Sequence, residues 1–172
     1  MIKKSDVVLA ALLHDVGNLV KFDFNQKVFN IGDERYWRQQ QMKLWKKYGR
    51  DDHVVTEAIL KELNVKLDII KWIKEKTFGN IIKLVKNKNK WETKILLYAD
   101  LRVLPDGIGT IEDRIRDIQT RMPHYYTRPD FELMKRSIFK LQDQIQQQIR
   151  IPVTKIKIYE DKLKNFLSID LG

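Results

Sequence analysis

The stretch Ala10-Ala11-Leu12-Leu13-His14-Asp15-Val16-Gly17-Asn18 decides how this chain is read. Small and aliphatic residues lead into an adjacent imidazole and carboxylate, and a glycine follows two positions later. An apolar helix face set in a core would hold His14 and Asp15 on rigid backbone, and Gly17 would permit a tight exit. An imidazole nitrogen beside a carboxylate oxygen is a mixed donor pair suited to Mn, Fe, Co, Ni or Zn, with Mg tolerated less readily at the nitrogen. The competing reading is a plain helix terminus at which His14 caps carbonyls and Asp15 is solvated. A second aspartate ends a similar apolar run, Leu96-Leu97-Tyr98-Ala99-Asp100-Leu101-Arg102-Val103, and suggests a ligand set drawn from two distant segments.

Outward from these two runs the pattern is helical almost throughout. Ser5 or Asp6 is placed to cap a helix running to about His14. Residues 19–32, with Phe22, Phe24, Phe29 and the Asn30-Ile31-Gly32 turn, read as a loop beside the proposed site. Asp33 is placed to cap a helix to about Tyr48, closed by Gly49. Its Tyr36, Trp37, Met42, Leu44 and Trp45 are expected in the core, with stacking on a nucleobase as the alternative. Asp51 can cap the next helix, which puts Val54, Ala58, Ile59 and Leu63 on a buried stripe. His53 then lies in the first turn, where free amides favour anions.

Helices near 67–77, 79–86 and 91–103 follow. Thr110 with Asp113 forms an imperfect capping box for a helix to about Met122, ended by Pro123, which leaves His124 in a loop. From Asp130 to Arg150 the apolar residues Phe131, Met134, Ile138, Leu141, Ile145 and Ile149 step by three or four, describing one long amphipathic helix that Pro152 stops. Residues 153–168 are read as a helical tail.

The run Ala-Leu-Leu-His-Asp-Val-Gly resembles the signature of the HD superfamily of metal-dependent phosphohydrolases. Asp52-His53-Val54-Val55-Thr56-Glu57-Ala58-Ile59-Leu60 resembles the helix in which such proteins place a further histidine. Tyr98-Ala99-Asp100 resembles the helix bearing the last metal aspartate, and residues 107–115 resemble the turn and helix after it. The likeness covers roughly residues 5–122, in the family's order and spacing. It implies an all-α fold, a single HD-domain-like helical bundle over residues 1–125, with the long C-terminal amphipathic helix in an extension, 126–172, packed on the same domain.

The resemblance further implies a divalent metal ion held by His14, Asp15, Asp100 and His53. The implied reaction is hydrolysis of a nucleotide or other small phosphomonoester by water, with Asp15 as the catalytic carboxylate and His53, Lys76 and Arg102 against the phosphate. The chain departs from the family pattern in places. No histidine stands in residues 1–13, where the family's first one belongs, so a preceding segment or a partner chain supplies it or the site has lost a ligand. Lys76 stands about where dinuclear members carry a histidine. An ammonium cannot coordinate a metal while protonated but can hold a phosphate oxygen, so a second metal is not expected. Asn18 replaces a lysine common after the glycine. These departures motivate an alternative function, a catalytically degenerate HD domain that binds a nucleotide or partner protein without hydrolysis.

Composition sets outer limits. At 172 residues and 43% apolar content the chain suffices for one packed domain, and with no cysteine it can form neither disulfides nor thiolate metal sites. No apolar run approaches the ~18 residues needed to span a bilayer, and no secretory segment is evident, so a cytoplasmic protein without membrane partners is expected. The net charge of +10 favours anionic ligands, although a solvated surface is the plainer reading. Lys83, Lys86, Lys88, Lys90 and Lys94 form its densest cluster. Without a recognisable recognition motif, nucleic acid is not expected as a partner, while a homodimer stays open.

Overall fold

The computed structural model describes residues 3–25, 32–104, 107–121 and 123–155. Most of them are helical, and the fold class is all-α, as the periodicity predicts. Among the described residues no helix is long and apolar enough to cross a membrane. The chain divides into two compact units, Met1–Thr77 and Phe78–Gly172.

The first unit carries helices α1 (Lys4–Leu13), α2 (Glu34–Tyr48), α3 (Asp52–Glu62) and α4 (Leu67–Glu75), with a 3-10 turn at Asn18–Lys21. Ala10, Val55, Leu60, Ile69 and Ile73 are buried. The start of α1 differs from expectation. Neither Ser5 nor Asp6 caps it; Lys3 takes the cap position without a side-chain bond. Asp6 is buried instead, and accepts from Lys66 Nζ at 2.9 and 3.1 Å, because the ammonium of Lys66, distant in sequence and set just before α4, is a stronger donor than the local amides. The caps on α2 and α3 form as read. Asp33 accepts from the Tyr36 amide at 3.1 Å and Asp51 from the Val54 amide at 2.9 Å. Gly49, at φ 95°, closes α2 in a conformation that favours glycine.

The face that α2 buries is the expected one only in part, with Leu44 and Trp45 half-buried as read. Tyr36, Trp37 and Met42 are 49, 40 and 59% exposed, and the buried residue of this helix is Gln41. Gln41 Nε2 donates to the carbonyls of Leu19 and Phe22 at 2.7 and 2.8 Å, and Trp45 Nε1 donates to that of Val20 at 2.8 Å. What packs against α2 is a backbone turn whose carbonyls need donors, so polar hydrogens face inward where an apolar stripe was expected. On α3 the buried residues are Val55, Thr56 and Leu60, while Val54 and Leu63 are exposed. The helix is turned to bring Thr56 to Gly17, as described below.

The second unit runs through a 3-10 turn (Phe78–Asn80), α5 (Ile81–Lys86), α6 (Trp91–Leu101), β1 (Val103–Leu104), β2 (Gly107–Ile108), α7 (Ile111–Arg121), α8 (Pro123–Tyr126), α9 (Phe131–Gln146) and a 3-10 turn at Val153–Lys155. The expected apolar stripe of α9, Phe131, Met134, Ile138, Leu141 and Ile145, is buried with Leu84, Leu97, Ile115 and their neighbours. Each such side chain contributes roughly 1.5–3 kcal/mol by leaving water. Residues 126–155 thus belong to the same unit as α5, α6 and α7.

Strands β1 and β2 pair antiparallel, Val103 opposite Ile108. They are too short to show alternation in the sequence. The capping box closes reciprocally: Thr110 N donates to Asp113 Oδ2 at 2.8 Å and Asp113 N to Thr110 Oγ1 at 3.1 Å. Pro123 opens α8 at a position proline suits, so the exposed His124 lies in a helical turn and not in a loop. Helix α9 stops short of Arg150 because Gln146 turns back, its Oε1 accepting from the Val153 amide at 2.7 Å. Lys94 leaves the expected surface cluster. It is buried, with Nζ 4.7 Å from the centre of the Trp91 ring, and burial pushes its pKa down. The tail expected over 153–168 lies, after Lys155, outside the described residues.

Candidate metal centre

Helix α1 ends at Leu13, and His14 follows at φ −62°, ψ −24°, so helical geometry persists one residue further. His14 Nδ1 lies 2.7 Å from the Ala11 carbonyl oxygen, one turn back. A carbonyl only accepts, so Nδ1 carries the proton and donates. Nε2 faces the Asp15 carboxylate, 3.2 Å from Oδ2. In the neutral imidazole these two atoms both offer lone pairs, and two such donors side by side suit a shared cation. A bond from the other ring nitrogen to a backbone carbonyl is the contact that fixes tautomer and ring orientation in metal-binding histidines. The donor chemistry of the pair therefore fits a divalent metal.

Gly17 positions this pair. Its φ of −88° is available to any residue, so its backbone conformation is not the reason for glycine. The reason is space: a Cβ there would stand 2.5 Å from Thr56 Oγ1 and 2.7 Å from both the Asp52 carbonyl oxygen and the Thr56 nitrogen. The Gly17 amide donates to Thr56 Oγ1 at 3.2 Å, and Lys21 Nζ meets Asp52 Oδ2 at 2.6 Å. The turn leaving the His-Asp step is thus pressed directly onto the first turns of α3. His53 sits in that first turn and is exposed; Lys76 follows the last residue of α4 as its C-cap.

Asp100 lies in the last turn of α6, in the second unit. The end of that helix is held by Arg114 of α7, a residue the sequence reading did not single out. Its Nη2 donates to the carbonyls of Asp100 and Val103 at 2.7 and 2.5 Å, and Nε donates to that of Leu101 at 3.3 Å. One guanidinium thereby satisfies carbonyls that a helix terminus leaves without partners. Nη1 bonds Asp117 Oδ2 at 3.0 Å, and the guanidiniums of Arg121 and Arg114 hold the Asp117 carboxyl below its ordinary range. The available signal was Arg114's place three residues after Ile111 and four before Ile118, on the buried stripe of α7.

Arg102, expected at the phosphate, is placed differently. It is buried, with Nε donating to the Gly109 carbonyl and Nη1 donating to Tyr98 Oη at 3.2 Å and the Val153 carbonyl at 3.0 Å. Those hydrogens brace the second unit internally. Two residues past Asp100, Arg102 reaches other carbonyls because a helical step of two turns its side chain well away from that aspartate.

The HD-domain family model matches residues 2–117, more than half of the chain, and the chain belongs to the HD-domain family. In His14, Asp15 and Asp100 it carries part of a His/Asp ligand set of the kind that holds a divalent metal. Neither a curated protein nor a solved structure matches it.

Proposed function

We propose that this chain is a metal-dependent phosphohydrolase, in which His14, Asp15 and Asp100 hold one divalent cation and water attacks a small phosphomonoester, a nucleotide by preference. The observation that carries the reading is the His14 geometry: Nδ1 is committed to the Ala11 carbonyl, and Nε2 faces Asp15 Oδ2. A divalent cation bound there supplies Lewis acidity toward a phosphoryl oxygen and acidifies water.

The chain's own residues do the rest. With one oxygen of Asp15 turned to His14, its other oxygen accepts a hydrogen bond from the attacking water and orients it. His53, in the amide-rich first turn of α3, meets the phosphate, and the Lys76 ammonium adds a positive point charge against the negative charge that grows in the transition state. Arg102 takes no part, since it is buried and its Nε and Nη1 hydrogens are committed within its own unit.

The test is metal content of protein purified without chelator and then supplied with manganese or zinc, compared with Asp100→Ala prepared identically. Near-stoichiometric metal that the variant loses is expected, followed by phosphatase activity in a nucleotide panel. Absence of metal from both proteins would overturn the hydrolase reading and leave a degenerate HD domain that binds without hydrolysing.

A further inference from the structure

Tyr36, Trp37 and Met42 are exposed on α2, so the alternative of stacking on a nucleobase is sterically available to them. The charge around them points the same way. Residues 34–50 hold six cations, Arg35, Arg38, Lys43, Lys46, Lys47 and Arg50, against the single carboxylate of Glu34. Some of these are occupied. Arg38 pairs with Glu34 and lies over the Phe24 ring, Lys47 pairs with Glu62, and Arg50 lies over Trp45. Arg35, Lys43 and Lys46 have no carboxylate partner among the described residues.

At 100° per residue, Arg35, Tyr36, Lys43 and Lys46 fall within about 100° of arc, opposite the inward-facing Gln41. They form a stripe about 16 Å long on the solvent side of α2. Tyr36 meets Trp37 edge to face, ring centres 5.2 Å apart at 78°. That contact braces the tyrosine while leaving at least one of its faces uncovered by Trp37. A braced, half-exposed aromatic ring among cations that no carboxylate of the described residues engages, Lys43 Nζ standing 3.5 Å from the neutral Gln40 Oε1, matches the chemistry of a single-stranded polynucleotide, whose bases stack and whose phosphates follow a basic track. An acidic polypeptide would use the cations and leave the ring idle.

We propose that the solvent face of α2, carried by Arg35, Tyr36, Lys43 and Lys46, docks single-stranded nucleic acid. This surface lies wholly in the first unit and does not depend on the metal reading. Its test is fluorescence anisotropy of a labelled oligothymidylate with the full chain in EDTA, so that hydrolysis is blocked. Three phosphate contacts predict affinity falling about twentyfold between 50 and 200 mM salt. Arg35→Gln/Lys43→Gln/Lys46→Gln should lose at least about tenfold in affinity and flatten that dependence. Tyr36→Ala should lose about tenfold with the salt dependence unchanged, and Tyr36→Phe should retain binding. No binding by wild type at 50 mM salt, equal binding by the variants, or equal affinity for a duplex or for polyglutamate would each overturn the proposal.

Discussion

Two helices in this molecule stop at a candidate metal ligand, and they are stopped by opposite means. Helix α1 ends against α3 because residue 17 has no side chain; helix α6 ends in the grip of a long one, Arg114. The first arrangement depends on backbone touching backbone and tolerates no added atom. The second depends on polar bonds that can be removed singly, so it should weaken by degrees.

The largest effect should come from Gly17→Ala, whose new methyl meets two backbone atoms and a buried hydroxyl at under 3 Å. A loss of about 3 kcal/mol in urea unfolding is expected, from forced separation of the turn and α3. A loss below that from Arg114→Gln would break the contrast. Arg114→Gln itself should cost about 2 kcal/mol, since α6 keeps its packing but loses the charged donor to its terminal carbonyls. Thr56→Val keeps the shape and removes the acceptor of the Gly17 amide, so about 1 kcal/mol should be lost, read from the same titration.

The smallest effect concerns the capping box that starts α7. Asp113 is held at about 2, below its ordinary 3.8, first by the Thr110 amide and hydroxyl and then by Arg116. A carboxyl depressed in the folded state stabilises it fully above 3.8, and that contribution is lost as pH falls from 3.8 to about 2. Thermal unfolding at pH 5 and pH 2 should show a smaller acid-induced drop in Tm for Asp113→Asn than for wild type. An equal drop would remove the box from the account of α7.

The features legible in the sequence are those decided within a few residues. Asp33, Asp51 and the Thr110–Asp113 pair cap where they were read to cap, because a short polar side chain can reach only the next turn's amides. The α9 stripe was equally plain, since apolar spacing over four turns has one solution. On α2 periodicity holds for the half-buried Leu44 and Trp45 but not for the exposed Tyr36, Trp37 and Met42, because it cannot tell whether the facing surface is apolar side chains or bare carbonyls. It was also silent on Arg114 and Asp6, whose partners stand 14 and 60 residues away. For the candidate site, the His-Asp step and Asp100 were visible as residues. The steric reason for Gly17 was not, because it belongs to another helix.

The grip of α2 on the 18–22 turn has a consequence for variation. Gln41 and Trp45 donate to three carbonyls there, those of Leu19, Phe22 and Val20. These bonds fix the path of the chain whatever side chains it carries, whereas the buried Val20 and the Phe22 ring, edge to face with the buried Phe24 at 4.8 Å, tie two of those side chains into the packing. The hydrogen bonds that hold the turn therefore survive a change of side chain at Leu19, whereas a change at Phe22 gives up its ring contact with Phe24.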